Sequence, residues 1–217
     1  MVALRSAFAK PASASRSARP LAHSRPLVTA LLRGVGSAGI SRSILTRYIP
    51  DDRTASVTTM TRKIEADAAV SGLQPALLWS FFRDLTQLPR PSKQEEKVLT
   101  YLKDFAAARQ LAWKQDAVGN LVIKRPGSGG GEDAPAVIVQ GHIDMVCEKE
   151  PSVQHDFASD PLSLLREGDW LKARGTTLGA DNGIGVAAAL ALLASPPGAK
   201  LPPLECLFTV DEETGLT

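Results

Sequence analysis

Apolar residues recur at helical spacing in three stretches of the chain. Residues 75–85 place Leu78, Phe82 and Leu85 on one face and begin with a proline, which suits the first turn of a helix. A second helix is predicted to start at Ser92, which forms a capping-box pattern with Glu95, and to end near Arg109. The Ala-rich residues 183–194 predict a third helix, which stops before a Pro-Pro-Gly break.

Shorter apolar runs bounded by turn residues predict strands between these helices. Residues 111–115 and 121–124 flank the sequence Ala-Val-Gly-Asn at 117–120, which is typical of a hairpin connection. Residues 136–140 form a short apolar run and residues 204–210 are mostly apolar, and we expect both to be buried strands, with 136–140 central in its sheet. Helices that alternate with buried strands predict a layered α/β domain.

Charge is distributed unevenly along the chain. Residues 1–50 hold eight of the 25 basic side chains and no acidic one. The rest of the chain therefore carries 17 basic against 23 acidic side chains, a net charge of −6. An acidic body argues against a nucleic-acid-binding domain, and the contrast divides the chain into a leader, residues 1–60, and a folded part, residues 61–217.

The leader has the composition of an organellar targeting segment. It is rich in Arg, Ser and Ala, and its apolar runs, such as residues 27–32, are too short for a secretory signal. We expect a mitochondrial or plastid address, whereas without the leader the protein would be cytoplasmic. The alternatives are an extension with no targeting role, or a translation start at Met60.

Two further classes of protein are disfavoured by the sequence. No run approaches the roughly 20 apolar residues that cross a bilayer, so we expect no membrane partner. Cys147 and Cys206 are too few for a disulfide framework and are expected to be reduced thiols.

Polar residues with metal-binding chemistry follow the ends of the predicted apolar strands. His142 and Asp144 come after residues 136–140, and Glu212 and Glu213 come after residues 204–210, while Asp181 opens the Ala-rich helix. These side chains are listed as one candidate site: His142, Asp144, Asp181, Glu212 and Glu213. Ligands gather at the carboxyl ends of strands in α/β sheets, so three loops are expected to converge on one cleft.

Each residue type has a distinct role available in such a site. His142 and carboxylates are natural ligands of a divalent ion, and Asp144 lies two residues on, where it can hold the second ring nitrogen. Asp181 has two oxygens and can bridge two ions. Glu212 and Glu213 point apart if the segment is extended, so one is expected to bind metal and the other to act as a general base.

Structural roles remain open for each of these residues taken alone. A histidine after a strand is often only hydrogen-bonded, Asp181 can be a helix N-cap, and residues 211–213 can be a solvated acidic run. Residues 183–188 also match the dinucleotide pattern G-x-G-x-x-A. That alternative is disfavoured because no apolar strand directly precedes the glycines, and a P-loop is excluded because no Gly-Lys-Ser/Thr follows them.

Five segments together resemble one family. They are Gly141–Val146, Trp170–Gly185 and Glu212–Gly215, with Val118–Asn120 and His155–Phe157. The resemblance is to the aminoacyl-histidine dipeptidases, also called cytosolic nonspecific dipeptidases, a branch of the di-zinc aminopeptidase and carboxypeptidase superfamily. It implies a layered α/β/α catalytic domain, two zinc ions, with manganese or cobalt as alternatives, and a dipeptide substrate such as Xaa-His.

The resemblance also implies a role for each candidate residue. His142, Asp181 and Glu213 are expected to be metal ligands, with Asp181 bridging the two ions through a loop that has a cis peptide bond to Asn182. Asp144 is expected to orient the His142 ring, and Glu212 to be the general base.

Family members are longer, and they carry two further ligands and a second domain downstream through which they often form homodimers. By comparison with them we expect a catalytic domain truncated at its C-terminal side and inactive alone. A non-catalytic binding or regulatory module, or a half that complements a separately encoded partner, are the alternatives.

Overall fold

The computed structural model describes residues 4–5 and 52–215, with side chains from Met60 to Gly215. Most of the predicted leader therefore lies outside the described residues. The helices are α1 (Asp52–Val70), α2 (Ala76–Thr86), α3 (Glu96–Ala108) and α4 (Ala180–Leu193). The strands are β1 (Leu4–Arg5), β2 (Ala112–Gln115), β3 (Leu121–Arg125), β4 (Val137–His142), β5 (Leu164–Glu167), β6 (Trp170–Ala173) and β7 (Leu204–Thr209).

The larger sheet has four strands in the order β2-β3-β7-β4. β7 pairs antiparallel with β3 and parallel with β4, in a register that sets His142 opposite Thr209. The carboxyl ends of β4 and β7 consequently lie side by side, at one edge of the sheet. The smaller sheet, β1-β6-β5, is antiparallel throughout.

The core forms where helices cover this larger sheet. α4 contacts both β4 and β7, and α2 packs on α4, while α3 contacts β2. Fully buried apolar side chains from each layer meet there, among them Phe82, Leu102, Leu190 and Phe208. The predicted α/β class is confirmed, and so are α2, α3, the β2–β3 hairpin and the Ala-rich helix, each within a few residues.

The prediction that residues 136–140 form a buried central strand is wrong. Within the described sheet β4 stands at the edge, and Ile138 is 68% exposed. β3 and β7 are the internal strands of this sheet, and alternate residues of β7 are buried. An apolar run shows that a strand is favourable but not where it lies in the sheet, because position depends on which strands pair.

The predicted capping box at Ser92 is also wrong. α3 begins at Glu96, and Glu95 occupies its N-cap position without a side-chain cap. The Ser92 hydroxyl donates instead to Asp144 Oδ2 at 2.7 Å, and Glu95 accepts the Asp211 N–H at 2.9 Å. Both side chains have partners distant in sequence, which a local pattern does not reveal.

Three smaller observations bear on the sequence predictions. α1 runs without a break across residue 60, where the leader is predicted to end. Cys147 and Cys206 are free thiols, and burial raises the pKa of Cys206 to about 11. In the part of the chain that the structure describes, we find no helix that combines the length and apolar character needed to span a bilayer.

Candidate metal centre

The three loops predicted to converge do meet at the carboxyl ends of β4 and β7. His142 is the last residue of β4, and its ring nitrogen Nε2 lies 3.1 Å from Asp181 Oδ1 at the start of α4. The same nitrogen lies 3.7 Å from Glu212 Oε2, in the turn that follows β7. The sheet register brings the loops together, because β4 and β7 are parallel neighbours.

Glu212 and Glu213 face the same site. One ligand atom from each, together with one from His142, lie within 4.8 Å of one another. The expectation that adjacent glutamates point apart is wrong here, because residues 212–215 form a turn and not an extended segment. A turn allows neighbouring side chains to converge, so both carboxylates are available to one centre.

Asp144 holds the other side of the imidazole. Its Oδ1 lies 3.3 Å from His142 Nδ1, and its side chain is fully buried. It also accepts hydrogen bonds from Ser92 Oγ and from the backbone N–H groups of Glu212 and Glu213. Burial alone would raise the pKa of Asp144, but these donors outweigh it and hold the pKa below its usual value.

This arrangement gives the site an excess of electron-rich atoms. A His142 ring with its proton on Nδ1, donating to Asp144, would present the lone pair of Nε2 to the carboxylates of Asp181 and Glu212. The neighbouring carboxylates repel each other unless a cation lies among them. The donor set of one imidazole nitrogen and several carboxylate oxygens fits a divalent ion of the zinc type.

Crowding of negative charge affects Glu213. Burial raises its pKa, and although His142 acts in the opposite direction, the charges of Asp181, Glu212 and Asp144 raise it further. A carboxylate among other carboxylates gains most from a bound cation, so Glu213 has the electrostatics of a ligand.

The loop that carries Asp181 is shaped by glycines. Gly179 has a φ of +63°, and a Cβ there would lie 2.5 Å from Arg90 Nη2. A Cβ at Gly183 would lie 2.8 Å from the same atom. The peptide bond between Asp181 and Asn182 is cis. Gly183, the first glycine of the pattern that resembles a nucleotide fingerprint, therefore leaves room for the Arg90 guanidinium, as Gly179 does.

Arg90 is a residue of this site that the sequence reasoning missed. It is almost fully buried and donates to the carbonyl oxygens of Ile143 at 3.0 Å, of Asp144 at 2.8 Å and of Gly179. Burial lowers its pKa to about 10, against the opposing charge of Asp144, and Arg90 stays protonated at neutral pH. An arginine in a loop gives no local signal of burial. For Ser92 and Glu95 the sequence pattern predicts only a helix cap and not a contact with this site.

An imidazole and carboxylates at the carboxyl edge of an α/β sheet are the ligand set of metal-dependent hydrolases. Residues 138–216 match the model of peptidase family M20/M25/M40.

Two relatives resemble the chain more specifically. It is 43% identical to the cytosol non-specific dipeptidase of Escherichia coli (strain K12) over 147 residues, which make up 68% of this chain and 30% of that relative. The fold matches the crystal structure of aminoacylhistidine dipeptidase from Vibrio alginolyticus with a TM-score of 0.66 and 45% identity, over 68% of this chain and 30% of that one. The predicted resemblance to this dipeptidase group is confirmed.

The fold is shared more widely. Aminopeptidase PepT from Bacillus cereus matches with a TM-score of 0.53 and 19% identity, over 64% of this chain and 37% of that one. At that identity the match concerns the fold alone. The chain spans 30% of the length of the E. coli relative.

Proposed function

We propose that this chain carries part of the active site of a metal-dependent dipeptidase, which hydrolyses dipeptides of the Xaa-His or nonspecific class. The observation that carries the proposal is the group His142, Glu212 and Glu213, whose ligand atoms lie within 4.8 Å of one another. The dipeptidase names of the E. coli and V. alginolyticus relatives support the substrate class.

The proposed metal ligands are His142, Asp181 and Glu213. Oxygen and imidazole donors suit zinc, and they also suit manganese or cobalt. When bound, two divalent ions would polarise the scissile carbonyl and favour deprotonation of the attacking water. Asp144 touches His142 on the side away from Asp181, which makes it the residue that fixes the ring for binding.

Glu212 is the proposed general base. Its carboxylate is 45% exposed, so water and substrate can reach it, and its Oε2 lies 3.7 Å from His142 Nε2. In the proposed reaction Glu212 takes a proton from water as the water oxygen bonds to the peptide carbonyl carbon. It then returns that proton to the leaving amine nitrogen as the C–N bond breaks.

Position supports this division between Glu212 and Glu213. The backbone N–H groups of both residues donate to Asp144. The turn is therefore fixed through its backbone, and the two side chains remain available to the site. Glu213 is the less exposed of the two, and burial together with nearby negative charge raises its pKa. The more buried carboxylate suits a ligand and the more exposed one suits a base.

A chimera tests the proposal in a complete enzyme. The segment of this chain that matches the E. coli dipeptidase replaces the corresponding segment of that relative. We expect the chimera to hydrolyse Ala-His when supplied with zinc or manganese, and Glu212→Gln to lower kcat by about 10²–10⁴ because the base is lost. Metal content, measured on the same samples, should be unchanged in Glu212→Gln.

Glu205→Gln is the matched control, because Glu205 pairs with Lys124 on the sheet, away from the site. A folded, metal-loaded chimera that turns over equally well with Glu212→Gln would contradict the role of Glu212. A folded chimera that binds no metal would contradict the proposed ligands.

A targeting role for residues 1–60 belongs to the same proposal. The segment's arginine-rich composition, without acids over residues 1–50, supports a mitochondrial or plastid location. The name of the E. coli relative refers to the cytosol, which is the location expected without the leader.

A further inference from the structure

The segment Arg90–Glu95 touches all three loops of the candidate metal centre, although it contributes none of the proposed ligands. We infer that this segment, called here the clamp, is a positioning element that fixes the three loops relative to one another and so sets the metal affinity of the site. The inference rests on the proposed function.

Arg90 joins the first loop to the second. One guanidinium nitrogen, Nη1, donates to the carbonyl oxygens of Ile143 and Asp144 after β4, and Nη2 donates to Gly179 before α4. Bonds from one rigid, planar group to two loops fix their separation. Gly179 and Gly183 leave room for it, since a Cβ at either would lie within 2.8 Å of Nη2.

Ser92 joins the first loop to the third. Its hydroxyl donates to Asp144 Oδ2 at 2.7 Å, the same oxygen that accepts the Glu213 N–H at 3.0 Å. The other oxygen, Oδ1, faces both His142 Nδ1 and the Glu212 N–H. The Ser92 hydroxyl therefore restrains the rotation of a carboxylate that holds the imidazole and the glutamate turn together.

Glu95 fixes the start of the glutamate turn. Its carboxylate is buried and accepts the backbone N–H of Asp211 at 2.9 Å. Asp211 has a φ of +56°, in the left-handed region that residues other than glycine adopt only occasionally. Lys93 Nζ adds a contact 3.7 Å from Asp211 Oδ2, so the clamp holds this residue at both its backbone and its side chain.

These contacts describe positioning and not catalysis. Ser92 acts through Asp144, Arg90 acts through backbone carbonyls, and Glu95 acts through a backbone N–H. A backbone bridge between Pro91 and Met145 places the clamp directly beside the first loop. Residues that orient ligands in this way change metal affinity without touching the ion.

Ser92 offers the sharpest test, because its hydroxyl can be removed and restored with little change of volume. Zinc affinity of the full chain is measured by competition with a chromophoric chelator. We expect Ser92→Ala to lower the affinity about 10–100-fold and Ser92→Thr to keep it within about threefold of the unaltered chain. Ser195→Ala is the control. The Ser195 hydroxyl, just after the end of α4, donates to the backbone carbonyl oxygen of Ala191 in that helix.

A merely structural role for Ser92 would lower stability without changing the affinity of the folded protein. Thermal unfolding in the presence of a chelator measures that contribution separately. An affinity for Ser92→Ala equal to that of the unaltered chain would overturn the inference.

Amide hydrogen exchange in the metal-free chain gives a readout that needs no ion. We expect Ser92→Ala to speed exchange at the Glu212 and Glu213 amides about tenfold, because their acceptor is no longer fixed, with α3 amides unchanged. Unchanged exchange at both amides would overturn the inference. If the unaltered chain binds zinc too weakly to measure without the downstream ligands, exchange decides the positioning role alone, while the proposed function is decided by metal binding in the chimera.

Discussion

Two aspartates contact the same imidazole from opposite sides, and their surroundings differ completely. Asp144 is fully buried and accepts hydrogen bonds from Ser92, Glu212 and Glu213. Asp181 has a side chain that is 85% exposed, and its carboxylate lies 3.1 Å from His142 Nε2. One carboxylate belongs to the folded interior and the other lies at an open surface.

The difference separates what the protein fixes by itself from what a cation must complete. On the Asp144 side, packing and hydrogen bonds hold the ring and the glutamate turn before any ligand arrives. On the Asp181 side, the carboxylates of Asp181 and Glu212 lie beside His142 Nε2, and a cation among them would offset their mutual repulsion. Preorganisation on one side and an accessible opening on the other is the arrangement that a metal-dependent hydrolase requires.

The largest expected effect comes from Arg90, which supports the fixed side. We expect Arg90→Met to lower the free energy of unfolding by about 3–5 kcal/mol, because Asp144 loses its buried counter-charge and the carbonyls of Ile143 and Gly179 lose their donor. Urea denaturation at neutral pH, followed by circular dichroism, measures the change.

Arg83→Met is the matched control, because Arg83 is likewise an arginine with several acceptors, but these are the carboxylates of Asp67 and Asp84 near the surface. We expect it to cost about 1 kcal/mol or less. Equal costs for the two substitutions would mean that the buried arginine holds no more structure together than a surface ion pair does.

The two aspartates themselves provide the second comparison. We expect Asp144→Ala to cost about 3 kcal/mol in the metal-free chain, because the partly buried N–H groups of Glu212 and Glu213 and the hydroxyl of Ser92 lose their acceptor. Asp181→Ala should change metal-free stability by about 0.5 kcal/mol or less, as for most exposed positions.

With zinc present, Asp181→Ala should no longer behave like a substitution at an ordinary exposed position. A bound ion stabilises the folded state, and we expect this stabilisation to be smaller in Asp181→Ala than in the unaltered chain. Thermal unfolding with and without zinc measures both quantities. Similar metal-free costs for Asp144→Ala and Asp181→Ala would remove the distinction between a fixed and an open side.

The open side was the part that the sequence could predict. His142, Asp181, Glu212 and Glu213 stand at the ends of apolar segments, and strand ends in α/β sheets meet at one edge. The helices and the β2–β3 hairpin followed from apolar periodicity and turn residues in the same way, because both depend on neighbours in the chain.

The fixed side was mostly out of reach because its contacts join residues far apart in sequence. Arg90 lies 53 and 54 positions from two of its acceptors and 89 from the third, and Ser92 lies 52 positions from Asp144. Ser92 and Glu95 matched a local capping pattern, yet their side chains bond to the site. The edge position of β4 could not be predicted for the same reason, because strand order depends on which strands pair.

The smallest expected effect concerns an aspartate that combines features of the other two. Asp116 is exposed, as Asp181 is, but its carboxylate is held by several donors, as that of Asp144 is: the side chain of Asn120 and the N–H groups of Val118, Gly119 and Asn120. Asn120 in turn accepts the N–H of Val210, just before the glutamate turn. These hydrogen bonds, that from the Asn120 side chain first, lower the pKa of Asp116.

A lowered pKa fixes the sign of the pH dependence. Asp116 binds a proton more weakly when folded than when unfolded, where its pKa is about 3.9, so its charged form adds stability above that pH. That contribution is lost as the pH falls through the folded pKa. We expect Asp116→Asn to be less stable than the unaltered chain at pH 7, with the difference narrowing below about pH 4. Urea midpoints measured from pH 2.5 to 7 test this, and a difference that stays constant over the range would show that hydrogen bonding to Asp116 does not depend on its charge.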